Sequence, residues 1–287
     1  MEQNSIVVKN VTKKFDDFML DHISFTVPTG RIVGFIGENG AGKTTLLNII
    51  CGYIKPSVGL VQYKGENIFE KPLTIQEFGI LIEPQFLDYI SAEENLRLLS
   101  QLANRKQDIR IKELLEKTEL YSSRKKKVKE FSFGMKQRLG LCQCLLTEVG
   151  FLILDEATTG LDPVVRDEIL DIFLEFIQDE EHSILFSTHI TSDIQKVADY
   201  VILIHNGKII FEEKKDDLIY NYGIIRCKKS EFNTVSPDDY VCCRETNLSV
   251  ECLIHDKVAA KKRYQNLIID DASIEDIMLF YIKGGVK

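Results

Sequence analysis

The sequence predicts an α/β fold in which helices cover a mostly parallel β-sheet. Along most of the chain, short apolar runs alternate with segments of helical periodicity, which is typical of this class. Three runs carry the prediction: RIVGFIG (31–37), GFLILDEA (150–157) and SILFSTH (183–189). Each is rich in apolar residues and ends in polar ones, as expected of a strand that is buried on both faces.

The polar residues that follow these three runs predict one common site. Ligands of open parallel sheets bind beyond the carboxyl ends of the strands. We therefore expect the loop Gly37–Thr44, the pair Asp155 and Glu156, and His189 to lie at the same edge of the sheet.

The bulk properties exclude several classes of protein. The chain has 287 residues, of which 44% are hydrophobic and 28% are charged, so one large domain with an appendage is expected. No apolar run reaches the ~18 residues of a membrane helix, and the start MEQNSIVVKN does not resemble a signal peptide, so a cytoplasmic location is predicted. A net charge of −8 argues against a nucleic-acid partner.

Two segments depart from the alternating pattern. Residues 84–145 read as a helical insertion, in which Ser91 and Glu94 form a capping box. Residues 219–287 read as a small α+β appendage that ends in the helix SIEDIMLFYI. Between the two, YVILIHNGKIIFE (200–212) predicts a hairpin at Asn-Gly and the edge of the sheet. The seven cysteines show no CxxC spacing and are expected to be reduced structural thiols.

The segment GENGAGKTT (37–45) matches the phosphate-binding loop GxxxxGK[ST]. Its glycines let backbone N–H groups turn toward phosphates, Lys43 offsets their charge, and the Thr44 hydroxyl is a ligand for Mg²⁺. The predicted nucleotide-binding residues of the loop are Gly37, Glu38, Asn39, Gly40, Ala41, Gly42, Lys43, Thr44 and Thr45.

The ends of the other two strands supply the catalytic candidates. Asp155 is expected to hold Mg²⁺, directly or through water, and Glu156 to polarise the water that attacks the γ-phosphate. Acidic residues after a strand also occur simply at helix N-termini, so the neighbouring phosphate loop decides the assignment. His189 is the third catalytic candidate, beside Glu156 and Lys43.

In the order of its motifs the chain resembles the ATP-binding subunits of ABC transporters over residues 4–215. The resemblance rests on Phe15 and on GENGAGKTT, ILIEPQF, FSFGMKQR, FLILDEATTGLDP and STHI. It implies a P-loop ATPase core over residues 1–218, with an N-terminal antiparallel β part and the helical insertion. It also implies ATP and Mg²⁺ as cofactors.

The resemblance implies a site shared between two subunits. FSFGM stands where the family has its LSGGQ signature, so Ser132 and Gly134 are expected to bind the γ-phosphate held by the partner of a homodimer or paired ABC subunit. Asp162 is expected to cross the interface between the subunits. Phe15 is expected to stack on adenine, with Phe18 as the alternative.

The chain departs from the family at three positions. Ala157 replaces the usual proline, which we expect to matter little. Phe133 replaces a glycine and is expected to remove backbone freedom beside the nucleotide. Glu83 stands where the family has a glutamine that binds Mg²⁺ and contacts the membrane subunits, and Gln85 is the alternative under a shifted alignment.

Glu83, the proline after it, the form of the signature and the tail together resemble the branch that exports bacitracin and lantibiotic-type peptides. The resemblance therefore implies an ATPase that powers a separate transmembrane permease and is peripheral on the inner face of the membrane. One alternative is a soluble ABC ATPase that acts as a switch on nucleic acid or ribosomes. The other is a P-loop kinase, which leaves FSFGMKQR without a role.

Overall fold

A computed structural model describes residues 4–71, 77–103, 108–147, 149–245 and 249–286 of the chain. Its central sheet has six strands in the order β10-β9-β3-β8-β7-β6. Their bounds are β3 Ile32–Ile36, β6 Phe78–Leu81, β7 Phe151–Asp155, β8 Ser183–Thr188, β9 Tyr200–His205 and β10 Lys208–Lys214. All neighbouring pairs are parallel except β9 and β10. The predicted α/β class with a mostly parallel sheet is confirmed.

Both faces of this sheet are buried, which explains the continuous apolar runs. In β7, Leu152 and Leu154 pack into one apolar cluster, whereas Phe151 and Ile153 pack into another on the opposite face. Alternate side chains of a strand point to opposite faces, so a strand covered on both sides needs apolar residues at every position. The covering helices are α1 Lys43–Ile50, α5 Pro163–Phe176 and α6 Thr191–Val197.

The hairpin between β9 and β10 forms at the predicted turn. Asn206 and Gly207 have φ angles of 47° and 72°, the left-handed values that a tight two-residue turn requires. Strand β10 is the edge of the central sheet, as expected. Strand β6, in contrast, ends at Leu81 and does not continue to Glu83, whose own φ of 51° is incompatible with a strand.

A second, antiparallel sheet contains the N-terminal strands in the order β2-β1-β4-β5. The bounds are β1 Asn4–Lys14, β2 Met19–Pro28, β4 Val58–Tyr63 and β5 Glu66–Asn67. Its apolar face shares a buried cluster with Phe35 of β3 and Leu46 of α1. The N-terminal strands therefore enclose the phosphate-loop helix from the side opposite to the helical insertion.

The insertion is helical, as predicted. It contains α2 Ala92–Leu102, α3 Asp108–Lys117 and α4 Phe133–Leu145, with 3₁₀ turns at Tyr121–Ser123 and Val128–Glu130. The capping box at the start of α2 is present, with the Glu94 amide donating to Ser91 and the Ser91 amide donating back to Glu94. Helix α4 packs on β6 and so attaches the insertion to the central sheet.

The C-terminal region forms a five-stranded antiparallel sheet in the order β14-β11-β13-β12-β15. The strands are β11 Gly223–Lys228, β12 Cys242–Glu245, β13 Ser249–Ile254, β14 Ile268–Asp271 and β15 Gly285–Val286. The helices are α7 Lys215–Asn221, α8 Lys229–Phe232, α9 Lys257–Arg263 and α10 Ile274–Lys283. Because α7 runs through residues 218 and 219, the division into units 1–218 and 219–287 stays a proposal.

The cysteines differ in part from the prediction. Cys243 and Cys252 are directly opposite on β12 and β13, with Cα atoms 4.1 Å apart, and form a disulfide. Their expected reduced state is therefore wrong in this structure, because sequence spacing does not reveal which residues face each other across a sheet. The other five cysteines are free and buried, and burial raises the pKa of the Cys142 thiol to about 12.

Candidate nucleotide site

The phosphate loop lies between β3 and α1, where the sequence places it. Gly40 and Gly42 have φ angles of 81° and 109°, which favour glycine. A side chain at Gly42 would also collide with the Phe18 ring, since a Cβ atom there would lie 2.7 Å from Phe18 Cζ. Glycine at position 42 is thus required by both the backbone and its surroundings, and at position 40 it is favoured by the backbone.

Lys43 is held over this loop with only 6% of its surface exposed. Its Nζ donates to the carbonyl oxygens of Gly37 at 2.8 Å and Glu38 at 3.2 Å, and lies 3.3 Å from Oε1 of Glu156. A buried ammonium group that has mainly carbonyl partners is well placed to exchange them for phosphate oxygens.

The loop opens into a cavity of about 370 Å³. Among the described residues, its lining consists of Phe18, Asn39, Gly40, Gly42, Lys43, Thr44, Thr45, Glu156, Thr159 and His189. The structure thus brings together the phosphate loop and two ends of the parallel strands. Thr159 was missed by the sequence analysis, although its place three residues after Glu156 in a turn could have indicated it.

Two side chains that were predicted to hold Mg²⁺, those of Thr44 and Asp155, lie side by side. The Thr44 hydroxyl donates to Oδ2 of Asp155 at 2.5 Å. The buried Ser187 hydroxyl donates to the other carboxylate oxygen of Asp155 and so orients it. Ser187 was not predicted, although it belongs to the STHI segment.

Glu156 is the most connected residue of the site. Its Oε2 lies 2.7 Å from Nδ1 of His189 and also accepts from the Thr159 hydroxyl. Its backbone has a left-handed φ of 49°, and its amide donates to Ser187 Oγ at 3.1 Å. Burial alone would raise the pKa of Glu156, but the Thr159 hydrogen bond, the Lys43 charge and the His189 ring together lower it. The carboxylate is therefore ionised at neutral pH.

The signature residues lie outside this cavity in the described part of the chain. Ser132 is exposed and caps α4, with its Oγ accepting from the Met135 amide at 3.3 Å. Phe133 is the first residue of α4, and a side chain at Gly134 would come within 3.4 Å of Leu161. Phe133 takes a helical position that does not require glycine, and its expected effect on backbone freedom beside the nucleotide stays a prediction.

Asp162 also faces away from its own phosphate loop. It is the N-cap of α5, and its Oδ1 accepts from the amides of Val164 and Val165 at 3.1 Å each. Asp162, like Ser132, is exposed.

The two aromatic candidates have different positions. Phe18 lines the cavity and packs on Gly42, whereas Phe15 is 38% exposed, with its ring centroid 6.4 Å from that of Phe18. Phe15 therefore lies one ring farther from the phosphate loop.

Glu83 and Gln85 line a different cavity, a groove of about 440 Å³ between β6 and the helical insertion. The Gln85 amide donates to the carbonyl oxygen of Glu83 at 3.2 Å. Other residues of the groove include Cys51, Tyr53, Leu99 and Gln143. Among the described residues, Glu83 is not part of the lining of the cavity that contains Thr44, so its contact with Mg²⁺ stays a prediction.

Comparisons with known proteins identify relatives of the chain. The ABC transporter family matches residues 20–159. Over 201 residues the chain is 39% identical to the bacitracin transport ATP-binding protein BcrA of Bacillus licheniformis, covering 69% of this chain and 66% of BcrA, slightly under two thirds. It is 34% identical to the lantibiotic transport ATP-binding protein SrtF of Streptococcus pyogenes, covering 73% of this chain and 90% of SrtF.

The fold is shared with a solved ATP-binding cassette, a dimer in a post-hydrolysis state with ADP and Pi. The TM-score is 0.65 at 22% identity, over 73% of this chain and 98% of the cassette. Motifs, fold and relatives thus agree, and the chain belongs to the ATP-binding subunits of the ABC transporter family, which are ATPases.

Proposed function

We propose that the chain hydrolyses ATP–Mg²⁺ at sites shared by two subunits and thereby powers a separate membrane permease that exports an antimicrobial peptide or hydrophobic drug. The observation that carries the proposal is the contact of Glu156 with His189, above the buried Lys43 and within one cavity. A base, a positive charge and an imidazole in this arrangement match what hydrolysis of a γ-phosphate needs.

Each of these residues has a separate role in hydrolysis. Lys43 and the loop amides bind the phosphates, and the ionised Glu156 accepts a proton from the attacking water. His189 holds the Glu156 carboxylate and faces the same space, where it would contact the γ-phosphate.

Thr44 and Asp155 fit a Mg²⁺ ion in kind, since their neighbouring side chains offer the oxygen ligands that this ion takes. Among the described residues no cluster of three or more His, Cys, Asp and Glu side chains could hold a metal, which is consistent with an ion completed by phosphate oxygens and water. When bound, such an ion neutralises charge that develops on the phosphates.

The shared site is supported by the exposed start of α4. Ser132 and the free amides of the first turn form a site for an anion, yet they do not line the cavity of their own chain, as far as the described residues show. The apolar side chains of Phe133 and Val164 beside them are 57% and 66% exposed. A second subunit would cover this face, and a solved cassette of the same fold is a dimer.

The groove that contains Glu83 is a suitable docking place for the permease. It lies between the sheet and the helical insertion, and Tyr53 at its wall is 66% exposed. Among the described residues, no helix has the length and apolar character needed to cross a bilayer. The permease would therefore hold the chain at the cytoplasmic face of the membrane.

The names of BcrA and SrtF support peptide antibiotics as the cargo.

The proposal is tested with Glu156→Gln, which retains the shape of the side chain but not its basicity. We expect ATP affinity to persist and hydrolysis to fall by ~100-fold or more. ATP should also trap a dimer that elutes at twice the monomer mass. Co-expression with a permease from a neighbouring gene should move the chain to the membrane fraction and confer peptide resistance that Glu156→Gln abolishes. Full hydrolysis by Glu156→Gln would contradict the assigned base.

A further inference from the structure

The buried carboxylate of Asp193 lies beside the segments that carry Glu156 and His189, and it has no role in the chemistry proposed above. Asp193, the third residue of α6, has no exposed surface. Its Oδ2 accepts from the Thr158 hydroxyl at 2.6 Å, and its Oδ1 lies 3.4 Å from Nε of Arg166 without a hydrogen-bond partner in the described part of the chain. Burial raises the pKa of Asp193, although Thr158 and Arg166 oppose this effect. Retaining a carboxylate here is costly for stability, so a gain in function is expected to offset it.

Asp193 connects the two chain segments that supply Glu156 and His189. On one side, its partner Thr158 precedes Thr159, whose hydroxyl donates to the Glu156 carboxylate. On the other side, Asp193 belongs to the first turn of the helix that begins two residues after His189, and its amide donates to the Ile190 carbonyl at 3.1 Å. Movement of either segment would therefore alter the 2.7 Å contact between Glu156 and His189.

We propose that Asp193 is a positioning residue for ATP hydrolysis, which acts through Thr158 to keep the Glu156 carboxylate in contact with the His189 ring. This inference rests on the roles assigned to those two residues. The inference implies that substitution of Asp193 lowers kcat and leaves the Kd for ATP unchanged, because Asp193 does not line the nucleotide cavity in the described residues.

The alternative is a purely structural role, in which the carboxylate stabilises the first turn of α6 and nothing more. An acidic residue near a helix N-terminus is common and favourable. The two roles differ in their effect on kcat for protein that is fully folded, so activity must be measured beside stability.

The test uses the full-length chain with ATP–Mg²⁺ and substitutions at Thr158. Thr158→Val removes the hydroxyl and retains the shape, whereas Thr158→Ser retains the hydroxyl. We expect Thr158→Val to lower kcat about tenfold with the Kd for ATP within about twofold of wild type, and Thr158→Ser to restore kcat to within about threefold. Asp193→Ala should lower kcat at least as much, and Asp193→Ala with Thr158→Val should be no worse than Asp193→Ala alone.

Thr118→Val is the matched control, because it removes another buried threonine hydroxyl, one that donates to the Leu114 carbonyl at 2.8 Å in the helical insertion. It should lower the unfolding free energy by a similar amount and leave kcat unchanged.

Equal kcat values for Thr158→Val and Thr158→Ser would overturn the inference, even if Asp193→Ala does not fold. Glu156→Gln is assayed in parallel. If that variant hydrolyses ATP normally, the proposed function fails; if it is inactive while Thr158→Val is normal, only the role of Asp193 fails.

Discussion

Nδ1 of His189 lies 2.7 Å from Oε2 of Glu156, although the two residues are 33 positions apart in the chain. The contact exists because β7 and β8 are parallel neighbours, so both residues leave the sheet at the same edge. Because the ionised Glu156 carboxylate can only accept, Nδ1 of His189 is the donor in this contact.

His189→Ala should retain ATP binding and lower kcat by ~100-fold, because the Glu156 carboxylate loses the partner that orients it. The measurement is a double-mutant cycle with Glu156→Gln, using phosphate release. If the two residues act as one unit, the double variant is no slower than the slower single variant. Fully additive losses would mean that His189 and Glu156 act separately. His182→Ala is the control, because His182 lies directly before β8, at the end opposite to His189, and this variant should hydrolyse ATP normally.

Lys43→Ala should weaken ATP binding by ~30-fold or more, since a charge-assisted contact to phosphate is worth about 2 kcal/mol. The Kd for a fluorescent ATP analogue is the quantity to measure. Lys208→Ala is a suitable control, because Lys208 is exposed and pairs only with Asp21 in the described structure. Unchanged affinity in Lys43→Ala would rule out the phosphate-loop assignment.

The aromatic candidates can be separated by comparing ATP with inorganic triphosphate. Phe15→Ala should weaken ATP but not triphosphate, because an adenine platform contacts the base alone. Phe18→Ala should weaken both ligands, since its ring packs on Gly42 and shapes the loop. Isothermal titration with the two ligands gives all four affinities. A loss of triphosphate binding in Phe15→Ala would show that Phe15 supports the loop and not the base.

The sequence predicted those features that depend on local pattern. The parallel strands, the Asn206–Gly207 turn and the capping box of Ser91 each follow from residues that are close together in the chain. Pattern did not reveal contacts between distant segments, such as Thr158 with Asp193 or Cys243 with Cys252. Those pairings depend on how strands and helices pack against one another. The spacing of residues within one segment carries no information about that packing.

If each site is formed by two subunits, two inactive variants with lesions in different parts of the site should regain activity when they are mixed. Ser132→Arg should abolish hydrolysis and retain ATP binding, because a bulky charged side chain at the start of α4 would enter the partner's phosphate site. Mixing it with Lys43→Ala places both lesions in one composite site and leaves the other intact. Equal amounts of the two inactive variants should recover about a quarter of wild-type activity if the sites work independently. Absence of any recovery, with heterodimers confirmed by mass, would contradict a site shared in this way.

The predicted contact of Glu83 with Mg²⁺ has to be compared with its position in the groove between β6 and the helical insertion. Glu83 has a left-handed φ of 51° and is followed by Pro84, so the chain turns sharply where β6 has ended. Its side chain is exposed in the groove that Gln85 also lines. We expect the Glu83 carboxylate to contact the metal once ATP and a second subunit are bound, because a carboxylate oxygen is a ligand that Mg²⁺ prefers.

Glu83→Gln should retain ATPase activity, but half-maximal rate should require more Mg²⁺, because the amide lacks the charge that attracts a divalent cation. Glu83→Ala should show a larger shift and should also uncouple hydrolysis from peptide resistance in cells that contain the permease. Gln85→Ala is the matched control from the same groove and should change the Mg²⁺ requirement by less than about twofold. The measurement is a Mg²⁺ titration of ATPase activity for the three variants beside a resistance assay. A large defect in Gln85→Ala with none in Glu83→Ala would assign the metal contact to Gln85. The reason is that added Mg²⁺ can compensate only for the loss of a residue that binds the metal.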